Sequence, residues 1–549
     1  MKHIKSLVAF SIIFLLSSCY KDLGNYNYNE DIKGIEVAIE KTYAVKKEKT
    51  DFTVTIKPTI DTKGQNKELT YEWYRSLRDQ DKGELISTEK DLTMVFKPKS
   101  QDPKDKLNST YYIRLYVKDI STNTLTMRHA RILLVDPYTS SWAVLHEQGG
   151  HAEIGAIEYL GDKIVTTPDA LTKERGKSLQ GKPLHLGVRQ IPNGYAAPTW
   201  LYSINTQLFL STTDLSEGGL ISPGDNFEHK SSWNTLISKA QIQDFNPSDI
   251  TGSGGGDRGY AMSTNGKIFI NNPYSPVMYQ VFPDPDELEG KGRITRLGVT
   301  TQGGIGYDAE GKRLVALDMT SSIWKEQEAR SNPPKDLVYN KVRANVNNAA
   351  DPNKIPADYI PVSIFPGYKY GVSGIAVFQQ YQLYCYFISG DMSHVYTIRG
   401  REITSAMEAP VSGFYSFKKP EGLTENTPMT TGFKYANIIF YAAGNKVYKH
   451  NIVNGQTSVI YSHPDAAAKA KAIRMAVEGY VGDEVYATMK NTLGIAPERY
   501  LAIGFDTEGK GEVVVLSLDT SGDIDGAKNT YPNVQVHKGF GPITSIVFM

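Results

Sequence analysis

Five times after residue 258 the chain repeats one pattern: an apolar run, a turn rich in Gly, Asn or Asp, and a second apolar run. The copies are "GYAMSTNGKIFINN" from Gly259, "IGYDAEGKRLVALDM" from Ile305, "YCYFISGDMSHVYTIRG" from Tyr384, "IIFYAAGNKVYKHNIVNGQTSVIY" from Ile438 and "YLAIGFDTEGKGEVVVLSLD" from Tyr500. Each is the signal of a β-hairpin. Two weaker copies begin at "SWAVLHEQGGHAEIGAI" and "WLYSINTQLFL", giving seven units. A hairpin returning every ~45–80 residues is how the blades of a β-propeller read in sequence. Seven blades over residues 141–549 are therefore expected, with six and eight open. The closing "GPITSIVFM" (Gly541 to Met549) is strand-like and is expected to pair with the first blade, removing the open edges of a linear array.

Residues 35–137 carry a stricter period of two. "FTVTIKP" places Phe52, Val54 and Ile56 on one face, and "LTYEWYR" does the same with Leu69, Tyr71 and Trp73. "YYIRLYVKD" sets Tyr111, Ile113, Leu115 and Val117 inward, and "RILLV" (Arg131 to Val135) supplies a last strand. Strands with one apolar face are half-buried, and about a hundred residues of them with Trp73 on a middle strand resemble an immunoglobulin-like or PKD-like sandwich packed around that tryptophan. "DPYTSS" (Asp136 to Ser141) reads as the domain junction. The fold class is all-β, a sandwich followed by a propeller. "PDAAAKAKAIRMA" (Pro464 to Ala476) predicts a short helix on an inter-blade connection, and few other stretches do.

The first residues are of another kind. Lys2 and Lys5 precede the apolar run "SLVAFSIIFLL", which has signal-peptide length and is too short to span a bilayer. Leu16-Ser17-Ser18-Cys19 resembles a bacterial lipobox, in which the cysteine is lipidated and the peptide cut before it. The expected organisation is a signal peptide over 1–18 and a lipidated tether over 19–34. Stretched out, about fifteen residues reach roughly 50 Å. Multiple acyl chains at Cys19 would anchor the chain to a membrane surface. The second of only two cysteines, Cys385, lies in the strand-like "YQLYCYFIS" and reads as a small buried hydrophobe.

Sixty Lys and Arg balance sixty Asp and Glu, so no long-range field draws the chain to nucleic acid. "HEQGGH" (His146 to His151) resembles a zinc-protease signature, but its histidines are five apart and Gly149 and Gly150 disfavour a helix. It reads as a turn, not a metal site. Gly254, Gly256 and Gly259 satisfy G-x-G-x-x-G, yet strand rather than helix follows, so no dinucleotide is expected. "DTSGDIDG" (Asp519 to Gly526) and "DPDELEG" (Asp284 to Gly290) read as solvated acidic turns, with calcium the alternative. Neither a metal nor a cofactor is assigned, and no catalytic residue. Trp200 in "APTWLY" and Tyr368 and Tyr370 in "FPGYKYG" stand in loop-like settings, where flat rings could stack on sugars or grip a peptide. Packing between blades is their alternative role.

Cys19 with "YKDLGNYNYNE" behind it, the Trp-bearing sandwich and a propeller opening at "SWAVLHE" resemble the PKD-like lipoproteins of Bacteroidota. The resemblance covers nearly the whole chain through soft motifs. It implies a lipid-anchored protein of the outer membrane, facing the exterior, beside a SusC/SusD-like import system. Two function classes follow: a non-catalytic accessory that binds glycan or peptide, and a propeller hydrolase or lyase acting on an extracellular polymer. Absence of a recognisable catalytic signature in the sequence favours the first.

Overall fold

The computed structural model describes residues 34–549 except 49, 101, 103–106, 109, 136, 139–140, 161–162, 191–205, 225–226, 238–244, 253–258, 272–276, 283–291, 301–302, 319–338, 344–350, 374–375, 400–407, 433–434, 436, 478–489, 491–492 and 494–495. Those residues form an all-β chain of two compact units. One comprises the described residues up to Tyr43 with those of Lys49–Leu133, the other Ala44–Glu48 with Leu134–Met549.

In the first unit, strand Phe52–Ile56 alternates buried and exposed residues and pairs with Leu92–Phe96, which alternates in the same way. Leu69–Ser76, Thr110–Asp119 and Thr124–Val135 lie in a five-stranded sheet. The inward residues of both sheets meet: Phe96 stacks on Phe52 and touches Tyr111 across the layers, at ring separations of 5.1 and 5.3 Å. Trp73 is fully buried, and its Nε1 donates to the Glu89 carbonyl at 2.9 Å. Lys67 and Asp119 form a buried ion pair at 2.8 Å. That ammonium, with hydrogen bonds from Ser121, holds the Asp119 carboxyl well below the usual carboxylate range.

The second unit is built from four-stranded antiparallel meanders, seven of them among the described residues. We number them by span: sheet I holds residues 141–167 with 543–548, sheet II 183–232, III 247–282, IV 294–343, V 360–418, VI 429–462 and VII 469–540. Sheets IV and V are joined at their outer strands, where Tyr339–Arg343 runs parallel to Glu408–Lys418. All five strong hairpins of the sequence are present, each as the central pair of its sheet. The hairpin from Ser141 is present too, its turn made by Gly149 and Gly150 with φ of +60° and +85°. "HEQGGH" is therefore a tight hairpin turn flanked by strands.

The strands of this unit differ in burial from those of the first. Trp142–Leu145, Leu208–Leu210 and Tyr500–Phe505 are buried on both faces, so they read as continuous apolar runs. The reason is that each sheet packs against two others. Tyr500 and Val515 of sheet VII meet Trp142 and Phe548 of sheet I. Leu145 and Ile154 of sheet I meet Leu186 and Leu208 of II. Phe209 and Trp233 continue to Phe269 of III, and Tyr260 to Leu297 and Val315 of IV. Leu314 then meets Leu383 of V, Tyr386 meets Tyr441 of VI, and Phe440 meets Leu501 and Val514 of VII. The core is thus a cycle of apolar wedges. The first strands of sheets II to VII touch in the same order, and Ile543–Phe548 of sheet I touches the first strands of both II and VII.

The cycle closes through the last strand. Ile543–Phe548 pairs antiparallel with Ser141–Gln148, as the strand-like "GPITSIVFM" leads one to expect. Phe548 packs edge-on against Trp142 at 4.9 Å, and Met549 N–H donates to the Ser141 carbonyl. At the other end of the pairing His146 is fully buried. Its Nδ1 accepts the Gly541 N–H at 3.0 Å, which leaves Nε2 to donate to the Pro168 carbonyl at 2.8 Å. Burial pushes its pKa down, keeping this neutral tautomer. A Cβ on Gly541 would lie 1.8 Å from the Glu147 carbonyl oxygen, so only glycine fits there.

Two expectations are corrected. Residues 469–475 of the predicted 464–476 helix form strand Lys469–Met475, first of sheet VII. Pairing with Tyr500–Thr507 and burial of Ile473 and Met475 override the helix preference of the alanines. Tyr368 and Tyr370 do not stand in a loop but on strand Ile360–Ser373, opposite Tyr381 and Gln379. This strand lies at the edge of its sheet, where Pro361 and Pro366 cost no central ladder bond. Two helices among the described residues, Ala170–Arg175 and Trp233–Leu236, are too short to leave a period in the sequence.

The clasp generates a prediction. Gly541→Ala should lower unfolding stability by about 1–3 kcal/mol through overpacking, read as a fall in the urea midpoint. His146→Ala should do the same, and the double variant should cost less than the two together because both break one contact set. Wild-type midpoints for both single variants would refute the assignment.

Candidate functional site

The site grows out of the wedge between sheets VI and VII. On strands Ile438–Ala443 and Lys446–Asn451, Ala442 faces Val447, Phe440 faces Lys449, and Ile438 faces Asn451. Because opposed residues of an antiparallel pair share a face, this face passes from apolar core to polar rim in two steps. Strand Thr457–Ser462 extends the rim, with Ser458 opposite Lys449. A turn of sheet VII, Asp519 to Asp523, supplies the facing wall.

Between them lies a cavity of about 640 Å³ lined by Ile438, Lys449, Asn451, Gln456, Thr457, Ser458 and Ser521. Its size suits a small-molecule site, though its lining is more polar than most. Lys449 Nζ donates to Asp523 Oδ2 at 2.6 Å and to the Ser521 carbonyl at 3.2 Å. Asp519 Oδ1 accepts from Ser521 N–H, Ser521 Oγ and Asp523 N–H at 2.8 to 3.0 Å. Burial opposes ionisation of Asp519, but the Ser521 and Asp523 hydrogen bonds outweigh it and hold the carboxyl below its usual range. Gly522 has φ +81°, and a Cβ there would press the Phe440 ring at 3.0 Å. The acidic turn "DTSGDIDG" is thus braced by its own N–H groups and by Lys449. Arg499 pairs with Asp525 behind it.

Among the described residues no group of three or more His, Cys, Asp or Glu side chains is placed to hold a metal. Of the sequence candidates, Cys19 and Trp200 lie outside the described residues. Of Tyr368 and Tyr370 only the strand position is described, on sheet V and not on the cavity. Cys385 is fully buried in the wedge between sheets IV and V, and burial pushes its thiol pKa up. It packs as the small hydrophobe expected. Sequence reasoning missed the cavity residues. The available signal was the polar turn "NIVNGQTS" (Asn451 to Ser458) within a hairpin otherwise apolar.

Residues 19–183 match the PKD-like family. No curated protein matches the chain. Among solved structures, a quinonprotein alcohol dehydrogenase-like protein from Bacteroides thetaiotaomicron aligns at 11% identity and TM-score 0.41, over 92% of this chain and 96% of that one. Apo AztD from Citrobacter koseri aligns at 9% identity and TM-score 0.32, over 88% and 98%.

A pH dependence follows from two buried histidines of sheets VI and VII. His450, on the opposite face from Lys449, is buried against Phe417, and His537 is buried beside Thr166. Burial lowers both pKa values to about 4. The unfolded chain takes these protons near pH 6.5, so it binds more protons than the folded one between there and pH 4. Stability should be full above pH 6.5 and fall as the pH drops through this window. Replacing both histidines by Gln should flatten the fall in melting temperature between pH 6.5 and 4; an unchanged slope would disprove it.

Proposed function

We propose that this chain is a lipid-anchored protein of the cell exterior whose second unit, a seven-bladed β-propeller, binds nutrient glycan or peptide beside an outer-membrane import system of SusC/SusD type. The observation that carries the anchoring is the position of the PKD-like match, which begins at residue 19. That residue is the cysteine of the lipobox-like stretch. The cyclic order of wedges and the closing pairing of Ile543–Phe548 support the propeller. The rim cavity supports binding, because its amides and hydroxyls are groups that recognise a polar ligand and its one amine is held in an ion pair. Domain limits follow from the same reading: signal 1–18, tether 19–34, sandwich 35–137 and propeller 141–549.

Cys19→Ala should abolish incorporation of labelled palmitate and move the protein from the membrane to the soluble fraction. Retention at the membrane with no label would overturn the anchor. The full chain applied to an array of glycans and peptides, with product analysis, should retain a ligand without turning it over. Release of smaller fragments would establish the hydrolase or lyase alternative instead.

A further inference from the structure

We infer that the cavity between sheets VI and VII takes an uncharged, hydroxyl-rich saccharide, an inference that rests on the binding function proposed above. Asn451 Oδ1 accepts the Val453 and Asn454 N–H groups at 2.9 and 3.3 Å, which assigns its other amide atom as Nδ2. Gln456 Oε1 likewise accepts from Asn454 Nδ2 at 3.3 Å. Among the described residues, Asn451 Nδ2, Gln456 Nε2 and Ser458 Oγ then have no protein partner, and all three residues line the cavity. Two amide donors and a hydroxyl therefore stand ready for a ligand that offers oxygen acceptors.

Charge decides which oxygen-rich ligand. The Lys449 ammonium is already met by Asp523 and the Ser521 carbonyl, and Asp519 lies in the same turn. Lys449 carries the one charge of the cavity lining, and it is already neutralised by Asp523, so an anionic sugar would gain no ion pair to offset its desolvation. A peptide is disfavoured for a different reason: Ile438 is the one apolar side chain of the lining, so no pocket receives hydrophobic anchors. Neutral sugar hydroxyls both accept and donate, which matches amides, Ser458 and the outer oxygens of the turn.

The test titrates the full chain with neutral oligosaccharides, oligogalacturonate and a mixed peptide set by calorimetry. Neutral saccharides should bind, and Asn451→Ala/Gln456→Ala should weaken them at least about tenfold. Melting temperature checks that the variant stays folded. Asp523→Asn should raise affinity for oligogalacturonate by freeing Lys449. Saccharide binding that ignores the Asn451/Gln456 variant overturns the cavity assignment and leaves the binding function standing. Peptide binding lost in that variant overturns the ligand class. Retention of no saccharide and no peptide overturns both this inference and the function beneath it.

Discussion

The second unit depends on an antiparallel pairing between segments about four hundred residues apart, Trp142–His146 with Ile543–Phe548. Without it sheet I would have three strands and an exposed inner edge, and two apolar wedges would lose a wall. One is the cluster of Trp142, Tyr500, Val515 and Phe548; the other includes Leu145, Leu186 and Val547. The pairing is secured at both ends by different physics. Aromatic packing of Phe548 on Trp142 fixes one end, and an imidazole shared between Gly541 and Pro168 fixes the other. Trp142 and His146 are fully buried, which makes the hydrogen bonds of the imidazole costly to leave unmade.

The same geometry explains where binding chemistry can sit. Sheets buried on both faces leave little apolar surface free, so polar groups gather where the wedges run out toward solvent. Between sheets VI and VII the transition takes two residue pairs, from Ala442 and Val447 to Ile438 and Asn451. The braced Asp519–Asp523 turn then holds the opposite wall at fixed distance. Gly522 permits its close approach to Phe440. The rim is therefore a rigid polar surface on an apolar base, in contrast to a site carried by one long loop.

Much of this was legible beforehand because it rests on local pattern. Alternation marked Phe52, Val54 and Ile56, and each is buried. Turn chemistry marked the hairpins, since Gly149–Gly150 and the Asn-, Asp- and Gly-rich turns have few other uses. Residues 464–476 misled because alanine's helix preference is weaker than a sheet neighbour's ladder and core. Tyr368 and Tyr370 misled because Gly and Pro usually break strands, and an edge position tolerates them. The cavity was invisible for a deeper reason. Lys449 and Asp523 are 74 residues apart, and only the packing of adjacent sheets brings them to 2.6 Å.

Closing the cycle with the last strand also sets an order of events. Ser141–Gln148 is synthesised early, yet one of its two hydrogen-bonding edges has no partner until residues 543–548 exist. A nascent chain therefore carries an apolar strand with a bare edge through the making of all the other sheets. Such an edge invites strand exchange with a second copy, and contacts this distant in sequence form slowly. The short clasp ends this hazard by completing the sheet.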